Sequence, residues 1–198
     1  MHVAGAFSCM EIVDTIYHEL MRDGDTFIMS KGHGAMAQYV VLEDQGKINL
    51  DDYCKGPIGC HPDLHVPGIA AATGSLGHGL GMAVGMAYAD PAHSVYVLMS
   101  DGEMQEGSTW EALQIANAFM LTNLHIHIDD NGMNSSQKTF QFLGILHERL
   151  QHFNWLYARI RVHKTTKGSP ISYMMNNPLW HYRSPDKMEY EQALRELE

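Results

Sequence analysis

Ser94-Val95-Tyr96-Val97-Leu98-Met99-Ser100-Asp101-Gly102 and, further on, Leu124-His125-Ile126-His127-Ile128-Asp129-Asp130-Asn131 decide how this chain folds. Each is an apolar run of strand character closed by a polar turn, and Thr109 to Met120 between them reads as a helix. Strand, helix and strand make a βαβ unit, whose right-handed crossover puts both strand ends on one edge of a parallel sheet. Open α/β sheets bind their ligands at that edge. Asp101 and Asn131 follow the two runs directly, so a carboxylate and an amide stand side by side there. Magnesium takes one or two protein oxygens and completes its octahedron with water and phosphate oxygens, so this pair suits a metal-diphosphate ligand. An Asp-Gly after a strand also serves as a plain turn, and the pair alone leaves both readings open.

Working outward, Phe27-Ile28-Met29 is a short buried strand that runs into Ser30-Lys31-Gly32-His33-Gly34, and Ala35 to Gln45 is helical. Phe7 to Arg22 reads as a helix, with Ser8 as N-cap, Glu11 three residues on, and Cys9, Ile12, Val13, Ile16, Tyr17 and Leu20 at helical spacing. Leu50 to Ala72 is rich in Gly, Pro and polar residues and forms a long loop of the kind that carries function inside a compact domain. Thr73-Gly74-Ser75-Leu76-Gly77-His78-Gly79 opens a helix of small residues, Leu80 to Ala89. Beyond Asn131, Phe142 to Trp155 reads as helix, Tyr157 to Val162 as strand, Asn176 to Tyr182 as loop and Glu189 to Glu198 as a polar helix. The expectation is one α/β domain over residues 1–198, built on a parallel sheet.

The bulk numbers bound the function. The 198 residues are 45% hydrophobic and 18% charged, enough for one domain with a real core. A formal net charge of -10 with no basic run gives no electrostatic support to a nucleic-acid or membrane-surface role. Cys9, Cys54 and Cys60 are odd in number and lack C-x-x-C spacing, which fits a reducing cytoplasm. No apolar stretch approaches the roughly 18 residues of a membrane span, so the reading is a soluble, cytoplasmic protein. Thirteen histidines raise the possibility of zinc. His61 and His65 have the i, i+4 spacing of a helical pair, but Pro62, Pro67, Gly59 and Gly68 exclude a helix there.

Three Gly-rich turns carry a histidine or hydroxyl: Lys31-Gly32-His33-Gly34, Gly59-Cys60-His61-Pro62-Asp63 and Thr73 to Gly79. Glycines let backbone N–H groups face phosphate oxygens, and neutral imidazole can donate to them or to a sugar hydroxyl. Taken with His2 to Ser8, with Ser100-Asp101-Gly102-Glu103-Met104-Gln105-Glu106-Gly107 closed by Asp130-Asn131-Gly132, and with Trp180-His181, these segments resemble the transketolase family over nearly the whole chain. The resemblance is to its diphosphate-binding half, in the form that some organisms encode as a separate N-terminal subunit.

That resemblance implies a three-layer thiamine diphosphate-binding fold of the diphosphate (PP) type. It implies thiamine diphosphate and Mg²⁺ or Ca²⁺ as cofactors, with Asp101 and Asn131 ligating the metal through side chains and Met133 through its carbonyl. His33, His61 and His181 match positions that touch the diphosphate, the reacting two-carbon unit or the sugar, and His2 matches a histidine that meets the donor sugar. Gly74, Ser75 and Leu76 match the cofactor-ring segment, Gly102 and Glu103 the diphosphate turn, and Glu106 a glutamate in a carboxylate network across a subunit interface. The implied activity is transfer of a ketol unit from a ketose phosphate to an aldose, in carbohydrate metabolism of the pentose phosphate type. The implied partner is a C-terminal transketolase subunit carrying the pyrimidine-binding domain, in a heterotetramer or around a homodimer of diphosphate-binding subunits.

The chain also departs from the family. Ser100 stands where the signature has glycine, the helix before the first histidine turn is missing, and about one β–α unit is absent near residue 157. The departures keep two alternatives in view: another thiamine diphosphate-dependent synthase, of the 1-deoxyxylulose-phosphate-synthase type, or a non-catalytic degenerate homologue.

Overall fold

The computed structural model describes residues 2–56, 58–135, 138–139 and 144–198. Four parallel strands, β1 (Thr26–Met29), β2 (Val95–Ser100), β3 (Leu124–Asp130) and β4 (Ile160–Lys164), form one sheet in the order β1-β2-β3-β4. Val95 pairs with Thr26 on one side and Leu124 on the other, and Ser100 pairs with Asp129. All four strands therefore end at one edge. Each residue of β2 is buried, as a central parallel strand covered on both faces requires.

Helices cover the two faces and make three layers. On one face α4 (His78–Ala89) and α5 (Gly107–Ala118) bury Leu80, Ala83, Val84, Leu113 and Ala116 against Ile28, Val97, Met99, Ile126 and Ile128. On the other, Phe27, Met29, Tyr96 and Leu98 meet α1 (Val3–Phe7), α2 (Met10–Thr15) and α3 (Ala35–Asp44) through Ala6, Cys9, Val13, Ile16 and Val41. Towards β4 this second face turns polar: the Tyr96 ring stacks on His125 at 4.6 Å, and His127 on His163 at 5.1 Å. Among the described residues no strand lies beyond β4. No helix among them is long and apolar enough to cross a membrane.

Several boundaries differ from the sequence expectation. The helix expected over Phe7 to Arg22 is α1, α2 and a π-helical turn, Ile16–Leu20, with a break at Ser8. Ser8 does not cap: its hydroxyl donates to the Gly5 carbonyl at 3.2 Å and to Asp129 at 2.6 Å, a tertiary partner that outcompetes the local one. The helix expected from Phe142 begins outside the described residues, and within them is only α6 (Leu146–Leu150) followed by a 3₁₀ turn, Gln151–Phe153. Asn154 in the left-handed half of backbone space (φ 43°) ends that run. Tyr157 to Arg159 belong to a 3₁₀ turn, Leu156–Arg159, so β4 starts at Ile160. The polar C-terminal helix is α7 (Lys187–Leu197), capped by Asp186 and Glu189 in a reciprocal capping box.

Candidate active site

A cavity of about 410 Å³ opens at the carboxyl edge of the sheet, and four histidines converge on it. His2 precedes α1, His33 sits in the 3₁₀ turn Gly32–Gly34 after β1, His61 lies in the long loop, and His181 ends the 3₁₀ turn Pro178–His181. The His2 ring lies 5.4 Å from His61, 5.1 Å from His181 and 6.0 Å from His33 between centroids, and His33 lies 5.4 Å from His181. Two of them are anchored through their backbone. The Tyr39 hydroxyl, from α3, donates to the His61 carbonyl at 2.7 Å. The buried Trp180 anchors the turn of His181 in a cluster with Ile171 and Met174. A side chain at Gly32 would stand 2.8 Å from the Gly74 backbone nitrogen, so glycine allows the histidine turn and the loop of Gly74 to meet.

Burial lowers the pKa of all four imidazoles, and in His181, which falls to about 3, the nearby Lys167 adds to it. They are neutral at pH 7, each with one donor and one acceptor. His2 Nδ1 donates to the His181 carbonyl at 2.7 Å, which leaves its Nε2 as acceptor. Lys167, 1% exposed, places Nζ 2.9 Å from His181 Nδ1 and 2.8 Å from the Asn134 carbonyl. The sequence reading missed Lys167, as it missed Tyr182, whose ring packs 4.5 Å from His181 and 5.4 Å from His2. One signal was available: Lys31-Gly32 after β1 recurs as Lys167-Gly168 after β4.

The other predicted residues fall into three groups. Gly74, Leu76, Gly102, Met133 and Glu106 line the cavity with the histidines, Glu106 as an exposed residue at the N-cap of α5. Ser75 is exposed and outside the lining, and Glu103 is fully buried beneath it. The Glu103 carboxylate accepts from Ser30 Oγ at 2.5 Å, Gly77 N at 3.0 Å and Ser100 N at 2.9 Å, and so ties three turns together. Asp101 and Asn131 form the third group. Asp101 is 1% exposed, borders a smaller cavity of about 160 Å³ beside the first, and accepts from Thr139 Oγ1 at 2.6 Å. Asn131 Oδ1 accepts from Met133 N at 3.1 Å, and its Nδ2 donates to Asp129 at 3.2 Å.

Charge at this edge is unevenly balanced. Asp129 pairs with Lys31 and Asp130 with Lys164, whereas among the described residues no Lys, Arg or His lies within ion-pair reach of Asp101. Burial, with Asp130 and Asp129 nearby, pushes the Asp101 carboxyl up to about 6. Its Oδ1 accepts from Gly102 N at 3.0 Å, opposite the Thr139 contact on Oδ2.

A parallel sheet whose carboxyl edge carries a histidine-lined cavity, beside a buried carboxylate with no ion-pair partner among the described residues, has the form of a ligand-binding α/β domain. The chain matches a protein-family profile described as the thiamine diphosphate binding domain of transketolase over residues 13–167. It is 35% identical to an apulose-4-phosphate transketolase subunit of Phocaeicola vulgatus over 240 residues, 99% of this chain and 85% of that one. It is 31% identical to the subunit of the same name in Actinobacillus succinogenes, over 99% and 87%. The transketolase structure from Leishmania mexicana superposes with a TM-score of 0.74 at 22% identity, over 98% of this chain and 44% of that one. The chain thus belongs to the transketolase thiamine diphosphate-binding domain family, a family of transferases. It spans less than half the length of that whole transketolase, and its 198 residues against 240 aligned positions leave about forty in the relatives without a counterpart.

Proposed function

We propose that this chain is the diphosphate-binding subunit of a two-part transketolase, moving a two-carbon ketol unit from a ketose phosphate to an aldose. The observation that carries the reading is the convergence of His2, His33, His61 and His181 on one cavity walled by Gly74 and Gly102. Two relatives that are themselves named as transketolase subunits support a divided enzyme. In this reading the second chain brings the pyrimidine-binding domain. Their naming after a phosphorylated sugar supports a sugar phosphate as donor.

The residues present fit a divalent cation held against a diphosphate. One carboxylate, one amide oxygen and one backbone carbonyl, from Asp101, Asn131 and Met133, are hard oxygen donors of the kind Mg²⁺ and Ca²⁺ take, and the unneutralised Asp101 supplies the charge. Thiamine diphosphate, when bound, supplies the nucleophilic carbon and the electron sink for carbon–carbon cleavage. The chain's own part is orientation and proton handling. Gly102 lets phosphate oxygens reach the backbone, Lys167 sets the His181 tautomer, and the neutral imidazoles give and take protons at the sugar hydroxyls and the reacting carbonyl. His2 and His61, at the outer side of the group, contact the donor. In the assembly, Glu106 lies towards the partner chain and joins a carboxylate network there.

The test is reconstitution. The chain, a partner subunit with a pyrimidine-binding domain, Mg²⁺ and thiamine diphosphate are mixed with ketose phosphate donors and a panel of aldose acceptors. Ketol transfer that needs both subunits is the expected result, and its absence with every acceptor overturns the reading.

A further inference from the structure

The fully buried ion pair between Lys31 and Asp129 takes no part in the chemistry described above. Burying two charges is costly unless their geometry is good and further hydrogen bonds satisfy them. Asp129 lies one residue before the end of β3 and gathers four donors from four separate segments. Lys31, after β1, pairs with its Oδ2, and Ser8, between α1 and α2, donates to the same oxygen at 2.6 Å. Thr165, after β4, donates to Oδ1. The fourth donor is Asn131 Nδ2, at 3.2 Å from Oδ2.

That last contact decides which way Asn131 turns its amide. A carboxamide can turn over about its terminal bond and exchange its oxygen for its nitrogen with little change in shape, whereas an ionised carboxylate only accepts. Facing Asp129, Asn131 must present Nδ2. Its Oδ1 is thereby sent the other way, where it accepts from Met133 N at 3.1 Å and keeps a second lone pair.

We propose that Asp129 is the positioning residue of the metal site, holding the Asn131 amide in the orientation that offers oxygen to the cation. The inference rests on the reading of Asn131 as a ligand. Lys31 is part of the device, because its ammonium pairs with the same carboxylate oxygen, Oδ2, that meets Asn131. Ser8 and Thr165 hold the carboxylate but do not touch Asn131.

The experiment titrates Mn²⁺, read by the electron paramagnetic resonance of the free ion, into the full chain with thiamine diphosphate, alone and with the partner subunit. Wild type should bind Mn²⁺ in a cofactor-dependent manner; if it binds none in either condition, the ligand reading fails and this inference falls with it. Asp129→Asn offers a donor to Asn131 as readily as an acceptor, and should weaken Mn²⁺ about 10- to 100-fold, the range of outer-shell ligand partners. Ser8→Ala and Thr165→Val should stay within about threefold, below that range. Asn131→Asp keeps the Lys31–Asp129 pair and answers the question even if Asp129→Asn fails to fold. An aspartate is by itself the stronger ligand for a hard cation, yet here it would face a second carboxylate, so weaker binding is expected. Wild-type affinity in a folded Asp129→Asn variant, or tighter binding by Asn131→Asp, overturns the positioning role while leaving the ligand reading intact.

Discussion

Lys167 Nζ stands 2.9 Å from Nδ1 of His181, so the ammonium donates and the imidazole accepts on that nitrogen. The His181 proton therefore sits on Nε2. Burial, followed by the charge of Lys31, brings Lys167 down to about 8, and burial, followed by the charge of Lys167, brings His181 to about 3. Lys167→Met removes the charge and the tautomer lock together. The His181 imidazole should then titrate measurably closer to the ordinary histidine range in a proton NMR titration, while the wild-type ring stays neutral down to about pH 4. An unchanged His181 titration would show that Lys167 does not control it.

Lys167 also sets an alkaline signature. Its folded pKa lies below the 10.5 of the unfolded chain, so between about 8 and 10.5 the unfolded state holds more protons. Its contribution makes stability rise with pH across that window. Urea midpoints from pH 8 to 10 should climb in wild type relative to Lys167→Met.

Asp101 should behave in the opposite sense at acid pH. Its folded pKa of about 6 lies above the unfolded 3.8, so the folded state holds more protons between those values. The contribution is full below about pH 4 and is lost as pH rises through 6. In the metal-free chain, Asp101→Asn should flatten this slope and melt no lower than wild type at pH 7. Mg²⁺ with thiamine diphosphate should raise the wild-type melting temperature and leave that of the variant unmoved. A variant stabilised as strongly as wild type would remove Asp101 from the metal site.

His2 and His61 can be separated from the cofactor grip. His2→Ala and His61→Ala should raise KM for the ketose phosphate about tenfold or more, the scale of one lost hydrogen bond to a polar substrate. Their affinity for thiamine diphosphate should stay near that of wild type by tryptophan fluorescence. Loss of cofactor affinity equal to the loss in KM would place them at the diphosphate instead.

Two glycines of α4 carry opposite expectations. A Cβ at Gly79 would stand 2.7 Å from the Ser30 Cα, at the turn tied down by Glu103, whereas one at Gly81 meets nothing within 4 Å. Gly79→Ala should cost about 3 kcal/mol through overpacking. Gly81→Ala should gain about 0.8 kcal/mol from helix propensity in the chain alone. Urea denaturation of the two variants measures both, and a destabilised Gly81→Ala chain would refute the open face.

Where sequence and structure agree, the signal was local. The runs at Phe27 to Met29, Val95 to Met99 and Leu124 to Ile128 are strands because buried parallel strands need continuous apolar residues, and the glycines of Gly32 and Gly74 mark the turns that meet at the cavity. Where they differ, a distant partner intervened. Ser8 has the neighbours of an N-cap, yet Asp129, 121 residues away, takes its hydroxyl. Glu103 stands in the diphosphate signature, yet its carboxylate is spent on Ser30, Ser100 and Gly77.

By itself the sequence determined the parallel sheet, which follows from residue period and from the order of the apolar runs along the chain. It singled out Asp101 and Asn131 as residues at the strand ends, while the four histidines were singled out through the family resemblance. Tertiary structure alone decided how these groups are charged and aimed: that Asp129 has a cation beside it while Asp101 has none among the described residues, that Lys167 faces His181, and that Asn131 turns its nitrogen inward. Protonation and orientation depend on which atoms lie within about 3 Å and on how much water is excluded, and those neighbours come from segments far apart in sequence.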